Sequence, residues 1–114
     1  MGYDRVKAEK IWQTVSQVPR GKVSSYGFIA DLAGLPGRAR LVGSMMQYAP
    51  EEMQLPWYRI LKSNGQLAFS SGSRMADRQK GFLQEEGVVV LNNRVNLKQF
   101  GWKPDLGELL QLKF

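Results

Sequence analysis

Neither cysteine nor histidine occurs anywhere in the 114 residues. A zinc centre of the Cys/His kind therefore cannot be assembled, and Cys–His and Ser–His nucleophile pairs are ruled out as well. No disulfide can staple the fold. With 43% hydrophobic residues, a chain of this length has enough apolar material for a core without one. No apolar run approaches the roughly 20 residues that span a bilayer, and Met1–Lys10 is too charged to read as a signal sequence. The expectation is a single cytoplasmic domain over 1–114, a monomer, with no metal and no cofactor. An enzyme built from this chain is left with carboxylates, lysine, tyrosine or serine.

Positive charge is what the chain does have. Sixteen Lys+Arg against ten Asp+Glu give a net charge of +6. Such a field draws polyanions and makes their binding salt-dependent. An ordinary solvated basic surface has the same balance, so the positions of the charges must decide.

Along the chain, Val6, Ile11, Trp12 and Val15 fall near helical spacing and predict a helix over Tyr3 to Val18, with Asp4 as its N-cap. Pro19-Arg20-Gly21-Lys22 breaks it, and Val23-Ser24 reads as a brief strand. Ser25 then caps a short helix, Tyr26 to Ala33, that Gly34 closes. After the turn Leu35-Pro36-Gly37, a third helix runs from about Arg38 to Gln47 with Leu41, Val42 and Met45 inward. Two short helices across a Gly/Pro turn are a helix-turn-helix pattern. The outer face of the second carries Arg38, Arg40, Gly43 and Ser44. It reads either as a recognition helix or as a packed helix with solvated arginines, and the basic chain favours the first.

Further on, Tyr58–Leu61 and Gln66–Phe69 flank Ser63-Asn64-Gly65, a hairpin signal that predicts a small wing. A fourth helix is expected over Met75–Glu86, ended by Gly87. Strands Val88–Leu91 and Arg94–Leu97 are expected around Asn92-Asn93. A short helix from Pro104 should fold Leu106, Leu109, Leu110 and Leu112 back on the core. The fold class is α+β, mainly α: a winged-helix-like DNA-binding domain with a helix-turn-helix and a small β-hairpin wing.

Three stretches carry more than fold. Gly21-Lys22-Val23-Ser24-Ser25-Tyr26, Ala39-Arg40-Leu41-Val42-Gly43-Ser44-Met45-Met46 and Pro56-Trp57-Tyr58-Arg59-Ile60, with Glu85-Glu86-Gly87 beyond them, resemble the DNA-binding domain of the O6-alkylguanine-DNA alkyltransferases. The likeness covers nearly the whole chain. In that family the motif is Pro-Cys-His-Arg, and Trp57 stands here in the place of the alkyl-accepting cysteine. Tryptophan there marks the alkyltransferase-like proteins, non-enzymatic relatives that flag alkylated guanine for repair; the short length and missing N-terminal domain agree with them. An indole N–H is a donor only, whereas alkyl transfer needs an activated thiolate. What Trp57 offers is a flat apolar wall, while Trp12 and Trp102 read as core.

The resemblance further implies that Arg40 is a finger filling the gap left by a flipped base. It makes Tyr26 the residue that turns the 3′ phosphate, its alternative being ordinary helix packing. Gly43 and Ser44 would let the helix approach the minor groove closely. Arg59 is implied as an internal anchor and Glu86 as structural, with the Tyr58 phenol bonded to Glu86. Three places depart from the pattern. Tyr58 replaces a histidine, Ala49 replaces an asparagine, and the lip Ser70-Ser71-Gly72-Ser73 lacks the family's tyrosine or arginine. Ser71 and Arg74 are left to face the modified O6 region, and Trp57, Tyr58, Ser71 and Arg74 are the expected lesion pocket.

The function expected is a sensor that binds O6-alkylguanine in duplex DNA and presents it to nucleotide excision repair proteins. A winged-helix transcription regulator is the alternative, though Leu41, Gly43, Ser44 and Met45 leave the helix poor in groups that read base edges. An enzyme acting on the flipped base through Glu85 or Glu86 ranks last, for want of a placed partner.

Overall fold

The computed structural model describes residues 3–112, so the outermost two residues at each end of the expected 1–114 domain lie outside the described residues. It is mainly helical with one small sheet. Helix α1 (Arg5–Gln17) starts where the Lys7 amide donates to the Asp4 carboxylate at 3.2 Å. Its inner face buries Ala8, Ile11, Trp12 and Val15, while Val6 lies outside the stripe and is exposed. Strand β1 (Ser24–Ser25) leads directly into α2 (Tyr26–Leu32), which Ser25 caps by accepting from the Phe28 amide at 3.1 Å. At Gly34 the backbone enters the left-handed region with φ +77°, which ends the helix and starts the turn. Helix α3 (Ala39–Met46) follows, burying Val42 and Met45 and half-burying Leu41. The Trp12 indole donates to the Met45 carbonyl at 2.8 Å and fixes the end of α3 on α1.

Beyond α3 come two single 3-10 turns, Glu51–Met53 and Trp57–Arg59, and then strand β2 (Ile60–Leu61). Here the strand pairing differs from expectation. Asn64-Gly65 does make a tight turn, with Lys62 donating to Gln66 at 3.0 Å, but β2 pairs with β1, in parallel, Ser24 opposite Ile60 and Ser25 opposite Leu61. Residues 65–67 bond instead to 93–95, through Val95 N–H to Gly65 and Leu67 N–H to Asn93, both at 2.9 Å. Burial explains the choice: Ile60 and Leu61 are both fully buried, which a hairpin wing with one face in water would not allow.

Those two neighbours also divide the interior. Ile60 faces a cluster built on α1, α2 and α3, and Leu61 faces a second one of Val23, Leu67, Leu83, Val88, Val90 and Val95. Alternate side chains of a strand point opposite ways, so β2 is the seam between them, and the Trp57–Arg59 turn stands at its entrance.

Helix α4 (Arg74–Glu85), capped by Ser73, closes the second cluster. Asn92 and Asn93, at φ +53° and +61°, form the expected turn. Neither expected arm, Val88–Leu91 or Arg94–Leu97, becomes a strand: Leu91 and Arg94 make isolated bridges, and Asn96 already caps a further helix, α5 (Leu97–Phe100). The terminal helix α6 (Leu106–Leu110) forms as expected, but its leucines do not return to the core. Leu106, Leu109 and Leu110 are exposed, and only Leu112 is half-buried. Trp102 already covers that end of the core, and its indole donates to Glu108 at 3.0 Å, which turns the polar side of α6 inward.

Candidate nucleic-acid interface

A cleft of about 600 Å³ opens between α2, α3 and α4. Tyr26, Gly43 and Met46 line it from the helix-turn-helix, Ala49 and Leu55 from the segment that follows, and Phe69, Met75 and Arg78 from the far side. Trp57 stands in its wall, half-buried. Three rings hold the indole by their edges: Tyr58, Phe69 and Phe82, with centroids 5.8, 6.2 and 6.0 Å away at interplanar angles of 85°, 79° and 84°. Edge-to-face contacts of this kind fix a ring's orientation as well as burying it.

Of the expected pocket residues only Trp57 lines this cleft. Tyr58 turns away, stacks on Phe82 at 4.8 Å and donates its hydroxyl to Glu86 at 2.9 Å. Ser71 and Arg74 are exposed and lie outside the lining. The reason is that α4 begins at Arg74, which sends that side chain outward and brings Met75 and Arg78 to the cleft. The Arg78 guanidinium lies 5.8 Å from the Trp57 ring centroid. Ala49 is one of the apolar lining residues.

Arg38, Arg40 and Ser44 share a separate shallow depression on the outer side of α3, with both arginines exposed. Gly43 and Tyr26 connect the two surfaces. A Cβ on Gly43 would meet the Tyr26 ring at 3.7 Å, an ordinary contact, so nothing among the described residues demands glycine there. A glycine inside a helix costs about 1 kcal/mol relative to alanine. Burial raises the Tyr26 hydroxyl above its usual range and keeps it protonated.

Behind the Trp57 turn lies a buried ionic cluster. Arg59 grips Glu86 with two nitrogens, at 3.0 and 2.6 Å, and reaches the Val18 carbonyl with a third at 2.8 Å. Their side chains are 14% and 2% exposed. Gly21 N–H also donates to Glu86 at 2.9 Å. Burial by itself would push the Glu86 carboxyl up, but hydrogen bonds from Arg59, Gly21 and Tyr58 outweigh it and hold the group below its ordinary value. Burial likewise pushes down the Arg59 pKa, and Glu86 more than reverses it. Burial and then the bond to Glu86 raise Tyr58. With Arg59 paired and Tyr58 donating, Glu86 has no free oxygen facing the cleft to activate water.

Gln79 was not singled out from the sequence, yet it ties the cleft together. Fully buried, its amide nitrogen donates to the Tyr58 and Ile60 carbonyls, both at 3.1 Å, and its oxygen accepts from Ala68 N–H at 3.0 Å. It therefore links α4 to both the Trp57 turn and the loop segment leading to Phe69. A signal was present, since Gln79 shares the inner stripe of α4 with Ala76 and Leu83, where a polar residue needs partners. Gln79→Leu removes the partner of three backbone groups, one buried and two partly buried, and is expected to destabilise the protein by about 2–4 kcal/mol. Urea denaturation checks this, and a loss below 1 kcal/mol (roughly the net worth of one hydrogen bond) would contradict the linking role.

Among the described residues no helix is long and apolar enough to cross a membrane, and no three metal-binding acidic, histidine or cysteine side chains cluster. Residues 7–88 match the profile of the 6-O-methylguanine DNA methyltransferase, DNA binding domain. The chain is 41% identical over 96 residues to a DNA base-flipping protein of Vibrio parahaemolyticus, covering 83% of this chain and 94% of that one. It is 38% identical over 100 residues to alkyltransferase-like protein 1 of Schizosaccharomyces pombe, covering 83% and 93%. The crystal structure of S. pombe Atl1 in complex with damaged DNA containing O6-carboxymethylguanine superposes with a TM-score of 0.79 at 36% identity, over 90% of this chain and 99% of that one. Identity of this order over most of each chain, to one relative named for base flipping and one named alkyltransferase-like, places the chain in the alkyltransferase-like branch of the 6-O-methylguanine DNA methyltransferase DNA-binding-domain family.

Proposed function

We propose that this protein is a non-enzymatic DNA-damage sensor. It enters the minor groove of duplex DNA with α3, flips an O6-alkylguanine into the cleft beside Trp57, and holds it there with the alkyl group in place. The observation that carries the reading is Trp57 itself, an indole clamped by three aromatic edges in the wall of a cleft reached from the helix-turn-helix. An indole is no nucleophile at neutral pH, so transfer is absent by chemistry. Arg40 occupies the vacated stack and bonds the orphaned base, while Tyr26, between cleft and α3, turns the phosphate outward. Arg38 and Ser44 hold the backbone. The exposed Gly43, which no neighbour among the described residues requires, keeps α3 thin enough for close approach. The long-lived complex, formed by one molecule in the cytoplasm, then serves as a mark for nucleotide excision repair proteins.

Two readouts on one duplex test this. With pyrrolocytosine opposite O6-methylguanine, binding should raise the fluorescence of the unstacked cytosine analogue, and the DNA mass should stay unchanged after long incubation. Methyl loss, or binding without a fluorescence rise, would contradict the proposal. Arg40→Ala should speed dissociation from the lesion duplex by about ten- to 100-fold, the worth of a charged hydrogen bond. An unchanged rate, measured by stopped flow, would argue against the finger role.

A further inference from the structure

Arg78 has no place in the scheme above, although it faces the cleft. Its guanidinium lies 5.8 Å from the Trp57 ring centroid and 6.0 Å from that of Phe82. Its one hydrogen-bond contact is to the Met75 sulfur at 3.8 Å. Among the described residues it forms no ion pair; the arginines that do are Arg5, Arg20 and Arg59. A guanidinium carries five donors in a planar fork suited to a carboxylate. Here nearly the whole fork is unused, parked on the aromatic wall against which a flipped base would stack. Around it the lining is apolar, with Met46, Leu55, Phe69 and Met75, and the one lining carboxylate, Glu51, stands in the turn after α3. Arg78 itself is exposed, so its fork is free to move and its pairing with an anion is open to screening by salt.

We propose that Arg78 makes the cleft select O6-adducts ending in an anion, such as a carboxylate, over neutral adducts of the same size. This rests on the lesion-binding reading and names its ligand class. The adduct's far end extends along the Trp57 wall, and the Arg78 fork moves from the ring face to pair with it. Neutral alkyl groups gain only the apolar wall. Glu51 opposes any anion that settles on the other side, so the pairing must be with Arg78.

The test compares three otherwise identical duplexes, carrying O6-carboxymethylguanine, its neutral amide isostere O6-carbamoylmethylguanine, and plain guanine. The wild-type protein should bind the carboxylate about two- to fivefold tighter than the amide, in line with an ion pair made by an exposed arginine. The ratio should shrink as salt is added. In Arg78→Gln the two adducts should bind equally. Equal binding by wild type, or tighter binding of the amide as Glu51 would impose, overturns the selection while leaving lesion binding intact, provided both still exceed plain guanine. If neither adduct exceeds plain guanine, the lesion-binding reading falls together with it. A preference that persists in Arg78→Gln overturns the assignment to Arg78.

Discussion

Replacing Glu86 by alanine should lower the free energy of unfolding by about 3–5 kcal/mol, the cost of breaking a buried ion pair from one side. The variant leaves Arg59, 14% exposed, without its counter-charge, and strips the Gly21 amide and the Tyr58 hydroxyl of their acceptor. Stability of a domain this size is about 5–15 kcal/mol, so the loss brings the protein near its folding threshold. Urea denaturation measures it. Removing both partners, as in Glu86→Leu with Arg59→Met, should recover much of the loss, because no charge is then left buried alone. Additive losses would contradict a coupled pair.

The same carboxylate sets a pH dependence. Its folded pKa lies below the ordinary 4.5, so its contribution is fully present above that value and is lost as pH falls through the lower folded one. Stability should hold from neutral pH down to about 4.5 and then decline, more steeply in wild type than in Glu86→Gln. Parallel curves would show that other groups carry the acid sensitivity.

The second large effect is on binding. Trp57→Ala should cut the preference for an O6-alkylguanine duplex over plain guanine by about five- to 150-fold, the range of one base–aromatic stack. Three rings lean on the indole by their edges, so its loss both removes the wall and frees its neighbours. General DNA affinity should survive, because Arg38 and Arg40 lie in a separate depression that the substitution does not touch. Its salt slope should survive with it. Competition binding at matched salt checks both halves, and discrimination retained without Trp57 would remove the wall from the account.

Elements set by local chemistry were legible in the sequence. Asp4 and Ser25 cap α1 and α2 as their side chains predict, and Gly34 ends α2 in the left-handed region. Long-range choices were not. Nothing near Ile60-Leu61 signals a parallel partner in Ser24-Ser25, whereas Asn64-Gly65 signals a hairpin strongly, so local signals predict a wing where the fold pairs β2 with β1. At the cleft, motif likeness located Trp57, Tyr26 and Gly43, which touch it. Ser71 and Arg74 lie outside its lining, because the start of α4 decides which turn faces inward, and Arg78 lies one turn beyond Arg74. Motif likeness assigns Tyr58 both to the pocket and to Glu86, and its hydroxyl bonds to Glu86. The leucines of α6 show the limit of composition, since a polar bond from Trp102 to Glu108 fixes which side faces out.

The central claim is that the chain recognises the lesion and leaves it unchanged. Its most direct test is equilibrium binding to one duplex with a single O6-methylguanine and to the same duplex with guanine, at fixed salt, followed by the mass of the recovered DNA. Much tighter binding to the lesion, with the methyl group still attached, is the predicted result. Equal affinities, or a recovered strand lighter by the methyl group, would contradict it.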